Sequence, residues 1–136
     1  MAENKLMLGR IAFPDDTPID LKTALEDLVR KLDDTLEYLY KPSVVSVTSA
    51  YTATDLDSLV LGDATGGAFA VNLPAVATVT GRQIKIKKTD ASGSAVTVTA
   101  NGSEEIDGST TYALSAQYKY VCIISDGTSW HVVANN

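Results

Sequence analysis

The sequence has few of the residues on which disulfide-rich or metal-dependent domains rely. It contains one cysteine, Cys122, and one histidine, His131, in 136 residues. A single cysteine cannot form an intramolecular disulfide, and a single imidazole gives a histidine-based metal site no second ring. We therefore expect no disulfide framework, no catalytic residues, and no metal or other cofactor. Apolar strand neighbours identify Cys122 as a buried structural thiol.

Basic residues and long apolar runs are also scarce. The chain has 17 acidic residues against 11 basic ones, a formal net charge of −6, so its average field repels nucleic-acid phosphates and anionic lipids. No window approaches the roughly 18 apolar residues of a membrane span, and the first residues lack the apolar core of a signal peptide. These absences predict no nucleic-acid partner, no membrane insertion, and folding in a reducing cytoplasm.

One stretch, residues 17–42, has helical periodicity. Thr17 suits an N-cap and Pro18 the first helical position, while Pro42 ends the helix at Lys41. The apolar positions recur at alternating spacings of four and three, the pattern of a coiled coil of about three heptads. Additional apolar residues at e positions widen the stripe and favour three or more strands. The residues predicted to hold the strands together are Leu21, Leu25, Leu28, Leu32, Leu36 and Leu39.

The surface that packs against this apolar stripe can be narrowed down by asking which other segments of the chain could cover it. No other segment has helical periodicity, so an intramolecular helical bundle is excluded. The stripe could dock on the β-rich remainder of the chain or associate with copies of itself. The short Lys41-Pro42-Ser43 link and the heptad spacing favour self-association.

Residues 43–136 change in composition to Val, Thr, Ile, Ala, Ser and Gly, with turn residues about every ten positions. This pattern predicts a mainly β fold: a small antiparallel β-sandwich or barrel head after the helical stalk. The sequence has no repeat of fixed period, so a β-solenoid is not indicated. The predicted strands are 44–51, 57–62, 68–73, 82–88, 95–100, 110–114, 118–125 and 128–134.

Two of these strands carry further information. The run 82–88 (RQIKIKK) is interpreted as an exposed strand whose lysines discourage edge pairing, with a phosphate- or lipopolysaccharide-binding strip as the alternative. The run 118–125 (YKYVCIIS) is apolar on both faces, which predicts a central strand or contact with a neighbouring subunit. Among the aromatics, Trp130 and Tyr120 are expected in the core.

Several groups of acidic residues are candidates for functional sites. Paired carboxylates can hydrolyse glycosides across a cleft, but the helical pair falls on a solvated face and Glu104-Glu105 in a turn. Asp55, Asp57 and Asp63 are a weak candidate for Ca²⁺, because no stretch has the spacing of an EF-hand.

Residues 51–133 resemble a β module that recurs in tailed-bacteriophage virion proteins: head fibres, decoration proteins, tail fibres and needle-like appendages. The similarity lies in "YTATDLDSLVLGDATGGAFAVNLP", "GRQIKIKKTDASGSAVTV", "NGSEEIDG" and "ISDGTSWHVV". The resemblance implies a trimeric β domain on a helical or fibrous stalk, attached to the particle by its N-terminus. That role falls to residues 1–16, an extended arm with the attachment residues Leu6, Leu8, Ile11 and Phe13.

The expected function is therefore that of a non-enzymatic structural protein of a bacteriophage virion, assembled in the host cytoplasm. It would be a homotrimeric fibre or capsid decoration protein, with capsid or tail proteins as partners. The alternative is a receptor- or glycan-binding tail-fibre tip that contacts a host surface glycan through Thr65, Ser92 and Tyr112 in or beside the loops 64–67, 90–94 and 107–110. A depolymerising enzyme has little support.

Overall fold

The computed structural model describes residues 21–136. The chain divides into two compact units, Met1–Lys41 and Pro42–Asn136, and each is described by itself. The predicted arm 1–16, its attachment residues Leu6, Leu8, Ile11 and Phe13, and the helix start at Thr17 and Pro18 lie outside the described residues.

The helix predicted from the periodicity is confirmed as α1, Leu21–Tyr40. Its last turn closes with the Lys41 amide donating to the Glu37 carbonyl at 2.9 Å, and Pro42 follows. Asp27 accepts hydrogen bonds from Lys31, at 2.9 Å, and from Arg30. These two contacts, the Lys31 contact first, lower the pKa of Asp27. Such solvent-exposed pairs within one helix contribute little to its stability, because water screens them.

Nine strands follow the helix. They are β1 Ser43–Val47, β2 Tyr51–Thr52, β3 Asp57–Gly62, β4 Phe69–Asn72, β5 Gln83–Lys88, β6 Val96–Thr99, β7 Thr111–Leu114, β8 Tyr120–Ser125 and β9 Trp130–Asn135, with a short 3₁₀ helix at Val76–Thr78 between β4 and β5. Each predicted strand corresponds to an observed one, except that 44–51 is two strands separated at residues 48–50.

The strands form two mixed sheets, ordered β1-β3-β5-β8-β9 and β2-β4-β6-β7. The first six strands alternate between the sheets, and their sheet neighbours pair in parallel. Only the pairs β5–β8, β8–β9 and β6–β7 are antiparallel. The prediction of an antiparallel domain is therefore wrong: each intervening strand in the other sheet acts as the crossover that parallel pairing requires. This back-and-forth winding resembles one part of a β-solenoid, although the sequence has no repeat of fixed period.

Both sheets contribute to one hydrophobic cluster. Ile84 and Ile86 of β5, together with Val121 and Ile123 of β8, are fully buried from one sheet. The other sheet contributes Val71, Val96, Val98 and Leu114, and Trp130 is also fully buried. Trp130 is therefore a core residue, as predicted.

The predictions made for residues 118–125 (β8) and 82–88 (β5) had different outcomes. The central position of β8 is confirmed, since it pairs with β5 and β9. The interpretation of β5 as an exposed strand is wrong, because it is the middle strand of the five. Lys85 is exposed on its outer face, but Lys88 is completely buried. Tyr120 pairs with Lys87 on that outer face and is absent from the core cluster, against expectation.

The β domain has two ends, which we call the near end, where β1 begins, and the far end, where β1 finishes. Because β1, β3 and β5 are parallel, loops 48–50, 63–68 and 89–95 follow them at the far end. Loop 115–119 joins them there, with the Tyr118 amide donating to the Lys88 carbonyl at 2.9 Å. Loop 100–110 and hairpin 126–129 lie at the near end, where the Trp130 amide donates to the Glu105 carbonyl at 2.9 Å.

Candidate functional site

The most prominent surface feature of the helix is its apolar stripe. All six leucines of the predicted seam are exposed, from 39% for Leu36 to 67% for Leu39, and Val29 is 55% exposed. Thr35, which follows Leu32 at a spacing of three and precedes Leu39 at a spacing of four, donates its hydroxyl to the Lys31 carbonyl at 2.8 Å, so this group is satisfied within the helix. A helix of 20 residues is only marginally stable alone in water, and most helices gain their stability by burying an apolar face.

A second feature is a buried ion pair at the far end. The Lys88 ammonium donates to the Asp90 carboxylate at 2.5 Å and to the Asp90 carbonyl at 2.8 Å, and both side chains are almost fully buried. The other carboxylate oxygen of Asp90 accepts the Ala64 amide at 2.6 Å. The Ser92 hydroxyl donates to the same carboxylate, and its oxygen lies 3.1 Å from the Ala64 carbonyl oxygen. The pair thus fastens loop 63–68 to loop 89–95.

The electrostatics of this pair follow from burial opposed by hydrogen bonds. Burial raises the pKa of Asp90, but the side chains of Lys88 and Ser92 and the amides of Ala64 and Ser92 outweigh it. The net effect holds the pKa of Asp90 far below its ordinary value, so the carboxylate stays ionised opposite the ammonium. The two loops are therefore held by a charged network at neutral pH.

The structure separates the three residues predicted to contact a receptor. Thr65 is exposed, and Ser92 is half-buried with its hydroxyl engaged in the far-end network. Tyr112 is half-buried in the edge strand β7 and packs against the hydrophobic core. Loop 107–110 lies at the near end. Only two of the three proposed contact loops are therefore neighbours, and a receptor role for these residues stays a prediction.

At the near end the histidine lies between two carboxylates. His131 Nε2 is 2.8 Å from Asp126 Oδ2, and His131 Nδ1 is 3.6 Å from Asp107 Oδ1. All three side chains are about half exposed. The Ser129 amide, then the Thr128 hydroxyl and amide and His131, lower the pKa of Asp126 far below its usual value. This cluster joins the 100–110 loop to the β8–β9 hairpin.

Residues 21–136 give little support for a metal site or a reactive cysteine. No group of three or more His, Cys, Asp or Glu side chains in this range is arranged to hold a metal ion. Asp57 is buried and accepts the Tyr51 hydroxyl at 2.8 Å at the near end, whereas Asp63 lies at the far end, so they do not form one calcium site. Cys122 is buried, as predicted.

Two features of this region were missed from the sequence. Lys88 follows Ile84 and Ile86 at spacings of two, so strict alternation already placed it on the core face. Tyr118 has φ of 62°, a left-handed conformation that the sequence did not reveal. Its ring lies 5.2 Å from the Lys87 ammonium, measured to the ring centroid.

Comparison with known proteins adds no relative. No family model matches the chain, and no curated protein matches it. In the part of the chain that the structure describes, no helix is long and apolar enough to cross a membrane.

Proposed function

We propose that the protein is a non-enzymatic structural component of a tailed-bacteriophage virion, a homotrimeric fibre or decoration protein. In this proposal α1 forms a parallel three-stranded coiled-coil stalk, the two-sheet β domain forms a sandwich-like head, and residues 1–16 bind capsid or tail proteins. The proposal rests on the sequence resemblance and, above all, on the exposed leucine stripe of α1.

The stripe supports self-association for an energetic reason. Six leucines between 39% and 67% exposed lie on a helix whose other positions are largely charged. Burying a leucine side chain contributes about 1.5–3 kcal/mol, which is many times the contribution of a surface ion pair. Three identical stripes packed together would bury all of them without requiring any second helix in the chain.

The mechanism of such a protein would be avidity. Once one arm of the trimer is bound, the other two arms are held close to their own binding sites at a high effective concentration. The trimer therefore stays attached although each arm binds weakly. The stalk would hold the β domain away from the particle surface. Leu6, Leu8, Ile11 and Phe13 remain the proposed attachment residues.

The stalk is tested by a pair of helix variants. Leu28→Glu places a charge in the stripe, whereas Asp34→Lys changes charge on the opposite, solvated side. In the native protein the helical circular dichroism signal at 222 nm should increase with protein concentration, because assembly stabilises the helix. We expect Leu28→Glu to abolish this dependence on concentration and Asp34→Lys to retain it. Equal behaviour of the two variants would contradict a role for the stripe in assembly.

The attachment step needs its own experiment. A chain lacking residues 1–16 should still associate but should no longer bind purified particles that lack the protein. Retention of particle binding after this deletion would exclude the arm as the anchor. The alternative function, a receptor- or glycan-binding tip, gains no support from Thr65, Ser92 and Tyr112, which do not form one surface.

A further inference from the structure

The outer face of the five-stranded sheet carries cations that have no acidic partner. Lys85 and Lys87 project from this face of β5, opposite Cys122 and Tyr120 of β8. Lys119 is exposed at the far-end rim beside them. Within residues 21–136, neither the Lys85 nor the Lys87 ammonium has an Asp or Glu carboxylate oxygen within 4.0 Å, whereas the Lys119 ammonium donates to the Asn136 main-chain oxygen at 2.7 Å. In a chain of net charge −6, this is a local reversal of sign.

Two tyrosines lie beside these lysines. Tyr120 of β8 pairs with Lys87, and Tyr118, in the loop 115–119 that precedes β8, places its ring centroid 5.2 Å from the Lys87 ammonium. Tyr118 is 56% exposed and Tyr120 is half-buried. We call Lys85, Lys87, Tyr118 and Tyr120 the lysine–tyrosine strip.

The backbone at Tyr118 is unusual for a residue with a large side chain. Its φ of 62° falls in the left-handed region, which bulky residues rarely occupy and which Asn or Gly would occupy at lower cost. The Tyr118 amide donates to the Lys88 carbonyl at 2.9 Å, which fixes this conformation. The strained backbone presents an aromatic ring to solvent beside a cation, and strained residues concentrate at binding sites.

We propose that the lysine–tyrosine strip binds an acidic saccharide. The apolar C–H face of a sugar ring would pack on the exposed ring of Tyr118, and its carboxylate would pair with Lys85 or Lys87. An acidic peptide would satisfy the lysines but has no flat apolar ring to offer the tyrosine. This proposal goes beyond the structural role and does not depend on the trimer.

The test is isothermal titration calorimetry, in which trigalacturonate is titrated into the full-length protein at low ionic strength and the dissociation constant is measured. We expect binding that Lys85→Gln combined with Lys87→Gln weakens about tenfold or more, since a charge-assisted hydrogen bond is lost. Lys22→Gln, which removes the same charge from α1, should leave the affinity unchanged. The proposal would be overturned if the native protein does not bind trigalacturonate, or if the double variant binds it as well as the native protein does.

The tyrosine is tested separately. Tyr118→Asn should lose binding while the melting temperature stays the same or rises, because Asn tolerates the left-handed backbone. Tyr118→Leu keeps an apolar side chain under the same backbone strain and should also lose binding, which isolates the aromatic face. If both variants bind normally, the ring has no part in recognition and the saccharide assignment fails.

Two further ligands identify the chemistry recognised. A neutral trisaccharide should bind much more weakly than trigalacturonate, because it lacks the carboxylates. A poly-glutamate peptide of equal charge should also bind more weakly, because it lacks sugar rings. Equal affinity for the peptide would show that the strip selects charge alone, and equal affinity for the neutral sugar would show that the lysines do not contribute.

Discussion

The helix and the β domain use the same kinds of apolar residue in opposite ways. In the β domain, the valines, isoleucines and leucines of the hydrophobic cluster are almost completely buried, with Ile84, Ile86 and Trp130 at 0% exposure. In α1 every leucine of the stripe is exposed. The β domain thus has a closed apolar core of its own, whereas the helix leaves its apolar stripe exposed. Exposed apolar residues in regular array therefore carry more information about assembly than the buried core does.

The largest effect on this contrast is expected from the core. Trp130→Ala should destabilise the β domain by about 3–5 kcal/mol, because it removes a fully buried indole and leaves a cavity. The loss should be the same at every protein concentration, measured by urea denaturation followed through the tyrosine fluorescence. Leu32→Ala in α1 is the matched change, and its effect should depend on concentration. A core variant whose effect depends on concentration would blur the distinction between the two units.

A smaller but still large effect is expected at the far end. Lys88→Ala leaves the buried Asp90 carboxylate without its ammonium, and removal of one member of a buried pair is strongly destabilising. We expect the melting temperature to fall by about 10 °C or more. The double variant Lys88→Met, Asp90→Leu should recover part of the loss, because no charge is then left unpaired. No recovery would show that Asp90 acts mainly through Ala64 and Ser92.

The same pair predicts how stability depends on pH. The pKa of Asp90 is lowered from its ordinary value of 3.8, so its contribution to stability is present above that value and is lost as pH falls toward the lower folded value. Thermal melts between pH 7 and pH 2 should show a decline beginning near pH 4. Asp90→Asn should lower stability at neutral pH and flatten the decline. A decline of unchanged steepness in this variant would assign it to other carboxylates, Asp126 first.

The smallest effect is expected at the near end. His131→Gln should cost less than about 1 kcal/mol, because its contacts with Asp126 and Asp107 are about half exposed and screened by solvent. Denaturation in low and in high salt would measure it, and the cost should shrink in high salt. A loss as large as that of Lys88→Ala would mean that the histidine cluster, rather than the buried pair, holds the loops of the β domain.

The sequence predicted local elements well and strand partners poorly. The bounds of β3 and the end of α1 at the Lys41-Pro42 junction follow from alternation, heptad spacing and proline chemistry, which are local. The partner of β3 is β1 on one side and β5 on the other, both parallel, and nothing in the alternation of residues 57–62 distinguishes this from an antiparallel hairpin. Alternation indicates which face a side chain occupies, and it leaves open which strand lies beside it.

The candidate sites show the same limit. The exposed stripe of α1 could be predicted because every member lies within one helix. The far-end network unites Ala64, Lys88 and Ser92 across two loops, and the left-handed backbone of Tyr118 depends on its contact with Lys88. Such long-range contacts depend on sheet order, which local patterns do not encode. The burial of Lys88 is the exception, since its place on the face of Ile84 and Ile86 was visible in the sequence.

The central proposal is that copies of the chain cover each other's leucine stripes. Sedimentation equilibrium of the full-length protein at micromolar concentration measures this directly. We predict a particle of three times the chain mass of 14.4 kDa. A particle with the mass of one chain across the same concentration range would contradict the proposed stalk and the structural role derived from it.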